Sequence, residues 1–171
     1  MKRIRLAVPA VLVGILALVV IGGATAKKPA LSATPVFKLN LKPSQEVPPI
    51  KGLRADAVGS VTFDLERSAG AITSGEVIFY FNYSFPASVN ITGLHIHQGA
   101  KGANGPVMVN SGVASFTDAD GQGNITTVVT GTSPATLQAI LDNPRNYYVN
   151  LHTSVNPDGA LREQMHNPKK R

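Results

Sequence analysis

Residues 72–83 read ITSGEVIFYFNY. In an extended chain Phe79, Phe81 and Tyr83 share one side while Ile78, Tyr80 and Asn82 share the other. Bulk on both sides suits a strand in the middle of a sandwich. The same period of two recurs on either side. Upstream, Val36 to Leu41 (VFKLNL) and Ala57 to Leu65 (AVGSVTFDL) alternate apolar and polar residues, the mark of a half-buried strand. Between them KPSQEVPPIKGLR breaks regular structure, because Pro48 and Pro49 lack donors and restrict the residues before them. Downstream, Ile91 to His97, Pro106 to Val109, Val113 to Phe116 and Asn124 to Thr130 read as shorter strands. NYYVNLHT and ALREQMH, joined by a turn at NPDG, complete the set.

One helix interrupts this pattern. In TSPATLQAILDNP, Thr132 or Ser133 can cap free backbone donors and Pro134 suits the first turn. Leu137, Ile140 and Leu141 form an apolar stripe, and Pro144 ends it. Short strands separated by turn chemistry predict an all-β fold, an antiparallel Greek-key-like β-sandwich with one short helix. No strand–glycine loop–helix unit for a nucleotide is present, and no internal repeat stands out.

The N-terminal end has a different character. MKRIR is basic, an apolar run from Leu6 follows, and small residues end in Ala24-Thr25-Ala26. That order is the order of a secretory signal, with cleavage expected after Ala26. The alternative is a retained membrane anchor, since the uncharged run from Leu6 to Ala26 is close to the ~20 residues that cross a bilayer as helix. The expected organisation is 1–26 as signal or anchor, 27–34 as linker, 35–166 as the folded domain and 167–171 as a basic tail. Export places the domain outside the cell, in the periplasm or at the envelope, with membrane contact only if the first segment is retained.

The chain holds Lys+Arg 16 against Asp+Glu 10, and no cysteine. Its basic residues are scattered and not interleaved with aromatics, which argues against nucleic-acid binding. The terminal Lys169-Lys170-Arg171 reads as a solvated tail. Lack of cysteine excludes disulfides, thiol nucleophiles and thiolate ligands. Stability must then come from an apolar core, and any metal must be held by imidazole, carboxylate or backbone oxygen.

Residues 93–99, GLHIHQG, carry two of the four histidines. On a strand His95 and His97 project from the same face, about 6.6 Å apart along the backbone, so two imidazoles can converge on one ion. Ile96 turns into the opposite layer. His152 alternates with Leu151 and Val149 in VNLHT, and supplies a third ligand if that strand crosses nearby. His166 is a fourth candidate, on the terminal segment. Imidazole donors without thiolate favour copper or zinc. The competing expectation is that these histidines are ordinary hydrogen-bonding residues of a metal-free domain.

Other features carry less chemistry. Glu46 is a candidate to accept a hydrogen bond from an imidazole or from Arg162, although backbone donors near the two prolines are the expected partners. DADGQGN (118–124) spaces Asp118 and Asp120 as a calcium loop does, but lacks the helices and the closing glutamate, so a tight hairpin turn is expected. The glycines of QGAKGANGP read as ordinary loop geometry. Asn82, Asn90 and Asn124 head formal glycosylation sequons. No serine sits in a nucleophile elbow, and no catalytic residue is assigned.

Three separated segments, LKPSQEVPP, GLHIHQGAKGANGPVM and YYVNLHTSVNPDGALREQ, resemble the CHRD domain named from its occurrence in chordin. The resemblance spans roughly Pro35 to Gln164. Glu46, Pro48 and Pro49 match its first element, His95 and His97 its second, and Gly99, Gly102, Gly105 and Pro106 the loop after it. Tyr148, Asn150, His152, Pro157, Gly159, Arg162 and Gln164 match the last. The family's glycine between this arginine and glutamine is replaced by Glu163, which questions the local turn if that position needs positive φ. The resemblance implies an all-β domain of secreted proteins with no defined reaction. GLHIHQGA also resembles the copper strand of copper–zinc superoxide dismutases. Their disulfide and zinc-loop histidines are missing here, which argues against full dismutase chemistry.

The expected function is an exported module holding copper or zinc through His95, His97 and His152, with His166 as a further candidate ligand. Metal carriage and folding-coupled stabilisation are the two roles considered. The alternatives are a metal-free domain for an extracellular or envelope protein partner, and a mononuclear redox enzyme.

Overall fold

The computed structural model describes residues 34–168. The expected signal or anchor at 1–26 lies outside the described residues, as do most of the linker and the last three residues of the tail. Nine strands and one α-helix follow in order: β1 Val36–Leu41, β2 Asp56–Ser68, β3 Ala71–Ser84, β4 Val89–Gln98, β5 Val107–Asn110, β6 Phe116–Asp118, β7 Gln122–Val129, α1 Pro134–Asp142, β8 Tyr147–Thr153 and β9 Leu161–Gln164. One sheet runs β1-β2-β3-β7. The other runs β5-β4-β8-β9, with β6 also on β4. Every pairing is antiparallel. The fold is the expected all-β sandwich with one short helix.

The core lies between the sheets. Phe37, Val61, Phe63, Val77, Phe79 and Phe81 from the first sheet meet Ile91, Leu94, Ile96, Val149, Leu151 and Leu161 from the second, all essentially without solvent exposure. Burying a large apolar side chain contributes about 1.5–3 kcal/mol, so this layer is the main source of stability. β3 is central, as ITSGEVIFYFNY predicts, but only one of its bulky faces is covered. Tyr80 on the other face is 46% exposed. Helix α1 is capped by Ser133, whose Oγ accepts from the Thr136 backbone N–H at 3.1 Å. It inserts Leu137 and Ile140 into the core.

A bulge in β4 aims the histidines. Ile91 faces the core, so strict alternation would send positions 93, 95 and 97 inward with it. The register shifts between Ile91 and Gly93 against β8, and Leu94 and Ile96 take over the core side. Gly93, His95 and His97 therefore stand on the outer face of the second sheet. Tyr148, Asn150 and His152 join them from β8, and Arg162 and Gln164 from β9, in direct register.

Two local expectations need correction. The strand expected over Val113–Phe116 begins only at Phe116. Gly112 adopts φ +73° and Val113 N–H turns back to Ser111 Oγ, which takes residues 112–115 off the edge of β4. DADGQGN is not a hairpin, because β6 and β7 belong to different sheets. It is a corner: Asp118 and Asp120 each accept from the backbone N–H two residues on, and Gly121 takes φ +75°. Asp118 also accepts from the Tyr83 hydroxyl, so its carboxylate is engaged by this corner.

Candidate metal centre

β4 and β8 bring His95, His97 and His152 together, with one ligand nitrogen from each lying within 4.8 Å of the others. The ring centroids form a nearly regular triangle with sides of 5.5, 4.8 and 5.4 Å. Gly93, which pairs with His152, makes room for this cluster. A Cβ on Gly93 would stand 2.8 Å from the His95 ring. His166 is exposed and lies outside the cluster, 3.8 Å from Glu163.

Backbone carbonyls decide how two of the rings face. His97 Nδ1 lies 3.0 Å from Gly105 O, and His152 Nδ1 lies 2.9 Å from Pro157 O. A carbonyl only accepts, so each Nδ1 carries the proton and donates it. Each Nε2 is left with a bare lone pair, and the two Nε2 atoms face each other at 3.2 Å. No hydrogen bond can join two bare lone pairs. Protonating one ring would supply a donor, but burial holds both His97 and His152 below the ordinary histidine value of 6.5. His95 is lowered to about 4, first by burial and then by its two histidine neighbours. Its Nδ1 is buried without a partner.

A shared cation resolves this geometry. Two imidazole nitrogens about 2.0–2.1 Å from a tetrahedral zinc stand roughly 3.3 Å apart, close to the spacing of the facing pair. Neutral rings oriented through their second nitrogen are the ligating form of histidine. The cluster can thus coordinate a metal ion with three neutral donors, which leaves a fourth position in a tetrahedral set for water or another ligand.

Around the cluster the outer face of this sheet is roofed by loops and filled with polar side chains. Tyr148 stacks on His97 at 4.9 Å and 9°. Arg162 is 2% exposed and Glu46 5%. Glu46 does not orient an imidazole. Its neighbours are Arg162 and Asn150, burial raises its carboxyl to about 7, and one carboxylate oxygen has no hydrogen-bond partner. Gln164 donates to the carbonyls of Gly99, Arg145 and Tyr147, which ties loop, turn and strand together. Glu163 sits in extended β9 opposite Val149, so that position needs no positive φ. Its carboxylate accepts from the Asn40 backbone N–H.

Sequence reasoning missed the carbonyls of Gly105 and Pro157, since a backbone acceptor leaves no trace in residue identity. It also passed over Gly93. A glycine inside a strand beside two histidines is a signal of a bulge or a close approach, and here it marks both.

No curated protein and no solved structure matches the chain. The model of the CHRD domain matches residues 37–165, which include β4, β8, β9 and the three clustered histidines. The chain belongs to the CHRD domain family.

Proposed function

We propose that this protein is an extracytoplasmic metal-binding module that holds one copper or zinc ion through His95, His97 and His152. The observation that carries this reading is the facing pair of Nε2 atoms at 3.2 Å, with both Nδ1 atoms committed to carbonyls. Histidine nitrogen donors without sulfur suit both copper(II) and zinc. Three ligands rather than four leave one coordination position open, through which an incoming ligand can take over the ion, as carriage requires. The ion also ties β4 to β8, so binding stabilises the fold. The basic and apolar residues at 1–26 support an exported location. His166 contributes no ligand in this reading.

The test is a titration of the mature domain with copper(II) and with zinc by calorimetry, beside the His95→Ala/His97→Ala double variant. The expected result is one ion per chain, with binding lost in the variant. Weak binding that survives in the variant would overturn the site and leave a metal-free interaction domain.

A further inference from the structure

Two of the three clustered rings, His97 and His152, are held by unrelated pieces of structure. His152 donates to Pro157 O, in a turn closed by its own bonds: Asn156 N–H to Thr153 Oγ1 at 3.1 Å and Gly159 N–H to Asn156 O at 3.2 Å. His97 donates to Gly105 O, at the far end of the loop Gly99–Pro106. That loop contains three glycines and exposes most of its residues, so little apolar burial holds it in place. Its end is pinned to β4 by Gln98 N–H, which donates to Pro106 O at 2.9 Å, and the segment Ala103–Asn104 just before Gly105 is tied by a side chain from another strand.

Arg162 reaches the loop and the ring from β9. Its Nη1 donates to Asn104 Oδ1 at 2.9 Å, and its Nη2 donates to Ala103 O at 2.8 Å. Ala100 O lies 3.5 Å from the same Nη2. Asn104 passes the tie onward, donating to Val47 O at 2.8 Å. The guanidinium also lies over the Tyr148 ring, with Cζ 3.4 Å from the ring centroid. Tyr148 in turn stacks on His97, and its hydroxyl accepts from Gly105 N–H at 3.2 Å. Two routes therefore run from one side chain to one imidazole, one through the loop and one through the stacked rings. Lysine cannot replace this arrangement, because an ammonium lacks the planar fork that bonds in two directions while stacking on a ring.

We infer that Arg162 is a positioning residue for His97, setting its tautomer and direction through the loop that ends at Gly105 and through Tyr148. The inference rests on the three-histidine site of the proposed function, but its primary readout needs no metal. The structure also supplies an internal control, since none of the bonds holding His152 involves Arg162.

The experiment compares wild type, Arg162→Lys and Asn104→Ala by long-range 1H–15N correlation of the histidine rings in the metal-free protein at neutral pH. Wild type is expected to show Nδ1–H on both His97 and His152. In Arg162→Lys the His97 signal is expected to move toward a mixture of tautomers while His152 keeps its proton on Nδ1, its Nε2 responding only as the acceptor that faces His97. Asn104→Ala is expected to shift His97 the same way by less. Asn104 is exposed, so this variant carries the test if the buried substitution prevents folding. Zinc affinity is then expected to fall about 10–100-fold, the usual effect of losing a group that orients a ligand. Folded variants with an unchanged His97 would overturn the inference, and so would an equal loss of the Nδ1 proton from His97 and His152, which signals general loosening. A His97 shift in a protein that binds neither zinc nor copper would uphold the positioning role while removing the metal reading.

Discussion

The two sheets present outer faces of opposite character, although both are built from alternating strands. On the first sheet, Val58, Ser60, Tyr80, Thr126 and Val128 stand away from the core, and Tyr80 and Val128 are 46% and 54% exposed. On the second, His97, Tyr148, Asn150, His152, Arg162 and Gln164 are all buried. The chain covers these polar groups with the Pro43–Pro49 segment, the glycine loop and the NPDG turn. An uncovered face costs little to build, because water satisfies its polar groups. A covered polar face needs a partner for nearly every group, and its few unpartnered atoms, on Glu46, His95 and Asn150, lie close to the candidate metal centre. The difference separates a surface that only has to be soluble from one organised around side-chain geometry.

The contrast breaks most sharply at Arg162. Replacing it with methionine removes three donor contacts and leaves loop carbonyls and Asn104 without their partner. The expected cost is about 3 kcal/mol, the scale of disrupting a buried charged network, read by urea denaturation. A loss under about 0.5 kcal/mol would mean that the loops roof this face without holding it.

Gly159 is the next test. It has φ +136°, and a Cβ there would stand 2.3 Å from Asn150 Nδ2. Gly159→Ala is expected to cost about 2 kcal/mol through strain and displacement of Asn150. Gly131, which follows the first sheet's β7, has φ +76° with open space around it. Gly131→Ala should cost only the backbone term, about 1 kcal/mol. Equal losses at the two sites would show that the crowding over Asn150 is unimportant.

Between pH 6.5 and 4 acid should act through the covered face. An unfolded histidine takes up its proton near 6.5, while folded His95 resists until about 4 and His97 and His152 are lowered too. The unfolded chain binds more protons in that interval, so stability falls as pH drops from 6.5 toward 4. Glu46 works the other way. Its folded carboxyl keeps a proton up to about 7 and the unfolded one releases it near 4.5, so this contribution weakens as pH rises across that range. Thermal melts of metal-free protein at several pH values should show the acid loss. Glu46→Gln should gain on wild type as pH rises from 4.5 to 7, and parallel curves would remove Glu46 from the account.

The smallest effect belongs to the open face. Tyr80→Ser is expected to change stability by no more than about 0.5 kcal/mol in the same denaturation experiment.

How much of this was legible depended on the distance over which each signal acts. VFKLNL and VIFYFNY carry their own period, so the strands and their core residues could be read directly. Ser133 and Pro134 announce the helix for the same local reason. His95 and His97 could be placed on one face because two residues on a strand always share it. That this face points away from the core depends on the bulge between Ile91 and Gly93, which is a property of the pairing with β8. His152 joins the cluster through the same pairing and could only be expected conditionally. Asp118 to Asn124 read as a hairpin turn, because turn chemistry is local while the assignment of flanking strands to different sheets is not. Arg162 was visible as a residue shared with a family. Its place over Tyr148 arises from β9 lying beside β8, across a chain separation that no periodicity spans.

The central claim is that three imidazoles meet on one ion, and X-ray absorption of the zinc-loaded protein tests it most directly. Three histidine nitrogens at about 2.0–2.1 Å, falling to two in His152→Ala, is the predicted result. A spectrum with a single histidine, or one unchanged by His152→Ala, would contradict it.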